Sequence, residues 1–242
     1  MIDQARAELA PTGTLRAGIN MSNFLLVTGS APDGDPVGVS PDLARAVADR
    51  LGVPLALVPF NNPGDLADAA GEDLWDIGNI GAVSERAKTI IFTAAYAEIE
   101  ATYMVPQDSR FQHIEQVDRD DVQISVYERS AYGLWLRDNI RHARLVMSDG
   151  LDASFDIFVE KKLDALAGLR PRLIDDVVRS PGARILEGKF TAVQQAIGTK
   201  PDRLAGAAFL RDFVEEAKTN GLISGLIEKH DVVGRLTVAP LV

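Results

Sequence analysis

The chain has 242 residues, 46% hydrophobic and 25% charged, and 35 acidic against 25 basic residues give it a formal charge of −10. That balance disfavours nucleic acid and anionic membrane surfaces as partners. The absence of cysteine excludes disulfides, thiolate metal sites and cysteine nucleophiles together, and no apolar run reaches the roughly 20 residues of a membrane helix.

Strand and helix signals alternate from the start, which predicts an α/β architecture. A short helix is expected over residues 4–9 and a first strand over 14–19. Asp33-Gly34 is a turn dipeptide between apolar stretches and predicts a hairpin-like excursion. Ser40-Pro41-Asp42-Leu43 reads as a helix start, with Ser40 as N-cap, Pro41 in the first helical position and Asp42 facing the positive helix end. Leu43, Val47 and Leu51 share one apolar face, and Gly52 stops that helix. Residues 53–60 read as a buried strand and 63–70 as a helix. Trp75-Asp76-Ile77-Gly78 is a short strand opening into a small-residue loop, with a helical turn over 84–89.

Residues 101–106 are extended, and Pro106 with the polar stretch behind it marks a crossing point. The pattern then restarts. Strands are expected at 122–127, 145–147, 163–167, 185–186 and 192–197, with helices at 130–140, 153–162 and 171–179. A long amphipathic helix over 203–219, capped by Asp202 and ended by Asn220-Gly221, precedes a last one over 222–230.

The order of these pieces resembles the family 3 extracellular solute-binding proteins of amino-acid-type ABC uptake systems. The residues that carry the resemblance are Leu15-Arg16-Ala17-Gly18, Gly38-Val39-Ser40-Pro41-Asp42-Leu43-Ala44 running to Leu51-Gly52, and Trp75-Asp76-Ile77-Gly78. Glu85-Arg86-Ala87, Phe92-Thr93-Ala94-Ala95-Tyr96 and Leu163-Asp164-Ala165 continue it, and residues 203–230 match the family's two terminal helices. The resemblance implies a type II periplasmic-binding-protein fold of two Rossmann-like lobes joined by two crossing strands. Lobe 1 would hold residues 1–104 with 199–242, and lobe 2 the inserted residues 105–198. A small-molecule ligand would sit in the interlobe cleft, with hinge closure over it.

The same resemblance places candidate ligand contacts. Arg86, shortly before the Phe-Thr-x-x-Tyr segment, would grip a carboxylate, since a planar guanidinium donates two parallel hydrogen bonds to one. The alternative is a surface arginine paired with Glu85 or Glu98. In the binding reading it faces a solvated cleft. Asn79 and Ser84 lie in the small-residue loop, which is about two residues shorter between Asp76 and Arg86 than in many amino-acid receptors. Asn23 stands at the family's aromatic position with Phe24 next to it, and Phe24 is as readily core as cleft. Arg129 and Ser130 open the first helix of lobe 2, where backbone amides bind anions and Ser130 can cap.

Leu169 stands where amino-acid receptors usually carry the aspartate that binds the ligand's ammonium. Glu98 and Glu100 are candidates for a substitute charge, or a solvated edge. Gln194 or Gln195 can face the ligand before the return crossing. His113, His142 and His230 are scattered in predicted loop or surface positions, so neither a metal site nor a hydroxyl–imidazole relay is expected. No cofactor is expected either, because the nucleotide-binding glycine motifs are absent.

The expected function is reversible binding of a small polar, carboxylate-bearing, amino-acid-like metabolite as the receptor of an ABC importer, working as a monomer with the transporter permease as a possible partner. An enzyme of lyase or dehydratase type on the same fold is the competing class, with Glu98 or Glu100 and Arg86 as its only acid–base pairing. A cytoplasmic ligand sensor is a third. Residues 1–15 have no basic patch followed by a long apolar stretch and do not read as a signal peptide. A periplasmic location is expected if a signal has been removed, and a cytoplasmic one if Met1 is the native start.

Overall fold

The computed structural model describes residues 2–242, which form two compact units, 2–98 with 194–242 and 99–193. In the first unit, helix α1 (Ile2–Leu9) leads into β1 (Leu15–Asn20). The expected hairpin follows as β2 (Gly29–Ser30) and β3 (Pro36–Val37), turning at Gly34 with φ 93° while Asp33 Oδ1 accepts from Asp35 N. Helix α2 (Val39–Leu51), β4 (Leu55–Phe60), α3 (Pro63–Asp68), β5 (Ile77–Ala82) and β6 (Ile91–Phe92) complete this stretch.

Two expectations fail in these elements. Helix α2 starts two residues early, at Val39, with Gly38 as its N-cap and no side-chain cap. Ser40 instead donates its hydroxyl to the Leu26 carbonyl at 3.2 Å. Gly38 is fixed by crowding, since a Cβ there would lie 2.2 Å from that same oxygen. Pro41 is tolerated as the third helical residue because first-turn amides have no intrahelical acceptor. Strand β4 is half-buried and not buried, because it is the sheet edge and pairs only with β1.

The chain passes into the second unit within β7 (Ala97–Pro106). There it forms β8 (Gln123–Tyr127), α4 (Ala131–Asn139), β9 (Arg144–Ser148), α5 (Leu151–Glu160), β10 (Ala165–Leu169), α6 (Arg170–Arg179) and β11 (Ala183–Ile185). It returns within β12 (Thr191–Thr199) and ends in α7 (Leu204–Thr219), α8 (Leu222–Lys229) and β13 (Thr237–Val238). The N-cap of α7 is Arg203, without a side-chain bond, so Asp202 does not cap it. Arg203 is held instead by Asp76, whose carboxylate accepts from its Nη1 at 2.7 Å.

In the first unit β4, β1 and β5 run parallel and β12 joins antiparallel. Gly18 and Gly78 are neighbours in register, and the Trp75 indole lies against both. A Cβ at Gly18 would meet Trp75 Cγ at 3.2 Å, so the missing side chains let the indole reach Leu66, whose carbonyl accepts from its Nε1 at 3.0 Å. In the second unit β10, β8 and β9 are parallel, with β7 antiparallel on β10 and β11 antiparallel on β7. Its core contains Met104, Phe155, Phe158, Leu163, Leu166 and Leu173. Each unit therefore has its own set of parallel strands and its own helices, as a Rossmann-like lobe requires.

Candidate functional site

In the first unit Ser84 and Arg86 lie on the segment that leaves β5, whereas Asn79, expected in that loop, lies within β5 itself. Arg86 opens a single 3-10 turn, Arg86–Lys88, and donates from Nη1 to the Gly81 carbonyl at 2.7 Å. It is only 4% exposed, which corrects the expectation that it faces solvent. The segment folds back on itself, so the guanidinium closes residues 81–86 into a loop. Glu85 pairs with Lys88 at 2.7 Å, and Glu98 accepts from Gln194 at 2.9 Å. Ser84 is exposed on the same loop.

Asn79 lies in β5 between Ile19 of β1 and Ile197 of β12. It is 1% exposed, and neither amide atom has a hydrogen-bond partner. A buried amide in that condition costs about 1–3 kcal/mol. Asn23 is also buried, and its side-chain oxygen accepts from Leu25 N at 3.2 Å, which makes it a turn-former after β1. Phe24 is half-buried, with the Arg235 guanidinium 5.4 Å from its ring centre.

In the second unit Ser130 is the N-cap of α4, as expected. Its hydroxyl accepts from Gly133 N at 2.9 Å and donates to the Tyr127 carbonyl at 2.6 Å. Arg129 immediately precedes it. Leu169 closes β10 and is the N-cap of α6, without a side-chain bond. The next residue, Arg170, donates from Nε to Glu100 at 2.8 Å and also binds the Gly188 carbonyl. Lys189 lies 3.4 Å from the other Glu100 oxygen. Hydrogen bonding from Arg170, more than its burial opposes, holds the Glu100 carboxyl below the usual carboxylate range. Glu100 is thus an ionised group already faced by two cations, poorly suited to act as a general acid at neutral pH.

Two features were missed because their partners are distant in sequence. Arg170 had no assigned role, yet it ties Glu100 to the loop before β12. His230 was expected in a loop or on the surface, but its side chain is 6% exposed and its Nε2 lies 2.7 Å from Asp42 at the start of α2. No group of three or more metal-ligating side chains occurs among the described residues, and no described helix is long and apolar enough to cross a membrane.

The profile of the bacterial extracellular solute-binding proteins, family 3, matches residues 15–231. In sequence the chain is similar to a cyclohexadienyl dehydratase of Pseudomonas aeruginosa, 28% identical over 138 residues. That match takes in 55% of this chain and 51% of the relative, so the alignment spans about half the length of that protein. In structure the chain resembles a mutant of ArgBP from T. maritima, with a TM-score of 0.73 and 22% identity over 94% of this chain and 99% of that one. It also resembles AbpA of Streptococcus pneumoniae, an amino acid ABC transporter substrate-binding protein solved with L-arginine. There the TM-score is 0.72 at 19% identity, covering 92% and 96% of the two chains. The chain belongs to the family 3 solute-binding proteins and has their fold.

Proposed function

We propose that this member of the family binds a small polar, carboxylate-bearing, amino-acid-like metabolite as the substrate-binding component of an ABC importer, each compact unit serving as one lobe. The observation that carries the reading is the family match across residues 15–231, which takes in both units. One of the structural relatives named above, AbpA, is an amino acid ABC transporter substrate-binding protein bound to L-arginine, and this supports the ligand class.

Arg86 is the anchor we assign to the carboxylate. Its guanidinium is withdrawn from bulk water and oriented by the Gly81 carbonyl, so little ordering is left to be done when an anion arrives. The start of α4, with Ser130 and Arg129, is the second anion-binding element we assign. Leu169 offers no charge for an ammonium group, and Glu100 is offset by Arg170 and Lys189. The reading therefore favours the carboxylate as the group recognised.

The test is calorimetric titration of wild type, Arg86→Ala and Arg86→Lys with a panel of amino acids and other small carboxylates. Loss of the guanidinium should weaken binding at least about thirtyfold, and lysine should not rescue it. Arg86→Ala should also lower the melting temperature, because it removes a buried contact to Gly81. Circular dichroism at the titration temperature must therefore show a folded variant. Near-wild-type affinity in folded Arg86→Ala overturns the anchor, while no binding across the panel overturns the receptor reading.

A second reading, catalysis of the dehydratase kind, is favoured by the similarity to the Pseudomonas protein. It predicts that incubation of the purified chain with a cyclohexadienyl substrate releases water and forms an aromatic product, read as a gain of ultraviolet absorbance.

A further inference from the structure

On the first unit, helices α2, α7 and α8 leave a notch of about 290 Å³. This is close to the lower end of the volumes that small-molecule sites occupy, roughly 300–1,000 Å³. Its floor is apolar. Phe213 and Ala217 of α7 are buried there, and Leu222 of α8 is half-buried. On α2 the wall nearest this floor is Ala46, whose single methyl leaves the space open, and Asp49 and Arg50 continue the lining toward the rim.

The rim is charged. Arg50 of α2 pairs with Glu216 of α7 across the notch, which uses the guanidinium and fixes one side. Asp49 is exposed on α2 beside this pair, and while its backbone carbonyl accepts from Gly52 N, its carboxylate has no hydrogen-bond or ion-pair partner among the described residues. Two carboxylates thus face one cation. The backbone adds to the same sign, because Asp49 and Arg50 lie in the last turn of α2 and Glu216 and Ala217 in the last turn of α7. Helix C-termini carry partial negative charge, so both ends favour a cation. The opposing contribution is the N-terminus of α8, but the Leu222 N–H is already taken by Asn220 Oδ1 at 3.0 Å.

We propose that this notch is a binding site for a small aliphatic ammonium ion, separate from any site for the transported solute. The hydrocarbon stem would lie on the Phe213 ring and the Ala217 methyl, and the ammonium would meet the Asp49 carboxylate at the rim. The inference does not depend on the proposed function, since it uses none of the residues assigned there.

The test is titration of the isotope-labelled full chain with n-butylammonium chloride, followed by amide NMR shifts, with 1-butanol and matched sodium chloride as controls. Saturable shifts confined to the ends of α2 and α7 and the start of α8 are expected for the amine. Asp49→Asn should weaken them about fivefold, as expected for one partly exposed charge contact. Ala46→Leu should abolish them by filling the notch. Melting temperatures of both variants establish that they are folded, and Asp49→Asn, a surface change, keeps the test valid if Ala46→Leu is not. Equal binding of 1-butanol, unchanged affinity in Asp49→Asn, or the absence of saturable shifts at these helices would overturn the proposal.

Discussion

Asp76→Asn should destabilise the first unit far more than a change at any neighbouring surface charge. The Asp76 carboxylate is fully buried. It accepts from Arg16 N at 3.0 Å, from Arg16 Nε and Nη2 at 2.9 Å each, and from Arg203 Nη1 at 2.7 Å. One side chain thereby joins β1, the residue before β5 and the residue that opens α7. Asparagine keeps one acceptor oxygen but turns an N–H group toward guanidinium donors and leaves two cations without their shared counter-charge. Removing one partner of a buried ion pair costs about 3–5 kcal/mol. Arg16 is 21% exposed and keeps Asp73 as a partner, so the lower end, about 3 kcal/mol, applies here. At about 2–4 °C per kcal/mol for a chain of this size, the melting temperature should fall by about 6–12 °C.

Calorimetric or circular-dichroism melts at pH 7 measure this, with Asp73→Asn as the control. Asp73 touches the same Arg16 but is 69% exposed, so its loss should shift the midpoint much less. The pH dependence adds a second check. Burial by itself raises the Asp76 carboxyl, but hydrogen bonds from Arg16 and Arg203 outweigh it and hold the group below the usual aspartate range. A depressed carboxyl contributes its stability above the unfolded value and loses it as pH falls through the folded one. The gap between wild type and Asp76→Asn should therefore be complete above about pH 5 and close as the pH drops below about 4. Equal midpoints at pH 7, or an equal fall in Asp73→Asn, would refute this account of the cluster.

Ser130→Ala should cost the second unit about 1 kcal/mol by leaving the Gly133 amide without its acceptor, and Ser130→Thr, which keeps both the acceptor and the hydroxyl donor to the Tyr127 carbonyl, should recover most of it. Denaturant midpoints for the three proteins check this, and a silent alanine variant would show that the cap adds nothing. Asn79→Leu should raise the melting temperature, because it removes a buried amide with no partner and gains roughly 1–2 kcal/mol. If Asn79 also contacts the ligand, the same variant should lose affinity in the calorimeter while gaining stability. A lower melting temperature would mean that the amide has a partner, such as a buried water.

The residues read correctly from sequence are those whose partners lie within a few positions. Ser130 caps three residues ahead, and Asp33-Gly34 turns the hairpin, because each conformation is decided by the chain's own neighbouring amides. The alternation of strand and helix was legible for the same reason, and with it the family's fold. The misreadings have partners much farther along the chain. Ser40 has every local quality of a cap, yet the Leu26 carbonyl, 14 positions earlier, takes its hydroxyl. Glu100, a candidate free charge in the sequence, is held by Arg170, 70 positions later. Arg86 shows where the boundary lies. Its identity and its place before Phe92 could be read, but the route of its guanidinium depends on how the loop after β5 closes. Closure brings the Gly81 carbonyl within 2.7 Å and takes the side chain out of solvent. A charged residue can thus be assigned to a site from local pattern, whereas its remaining capacity to bind depends on partners that only the folded chain supplies.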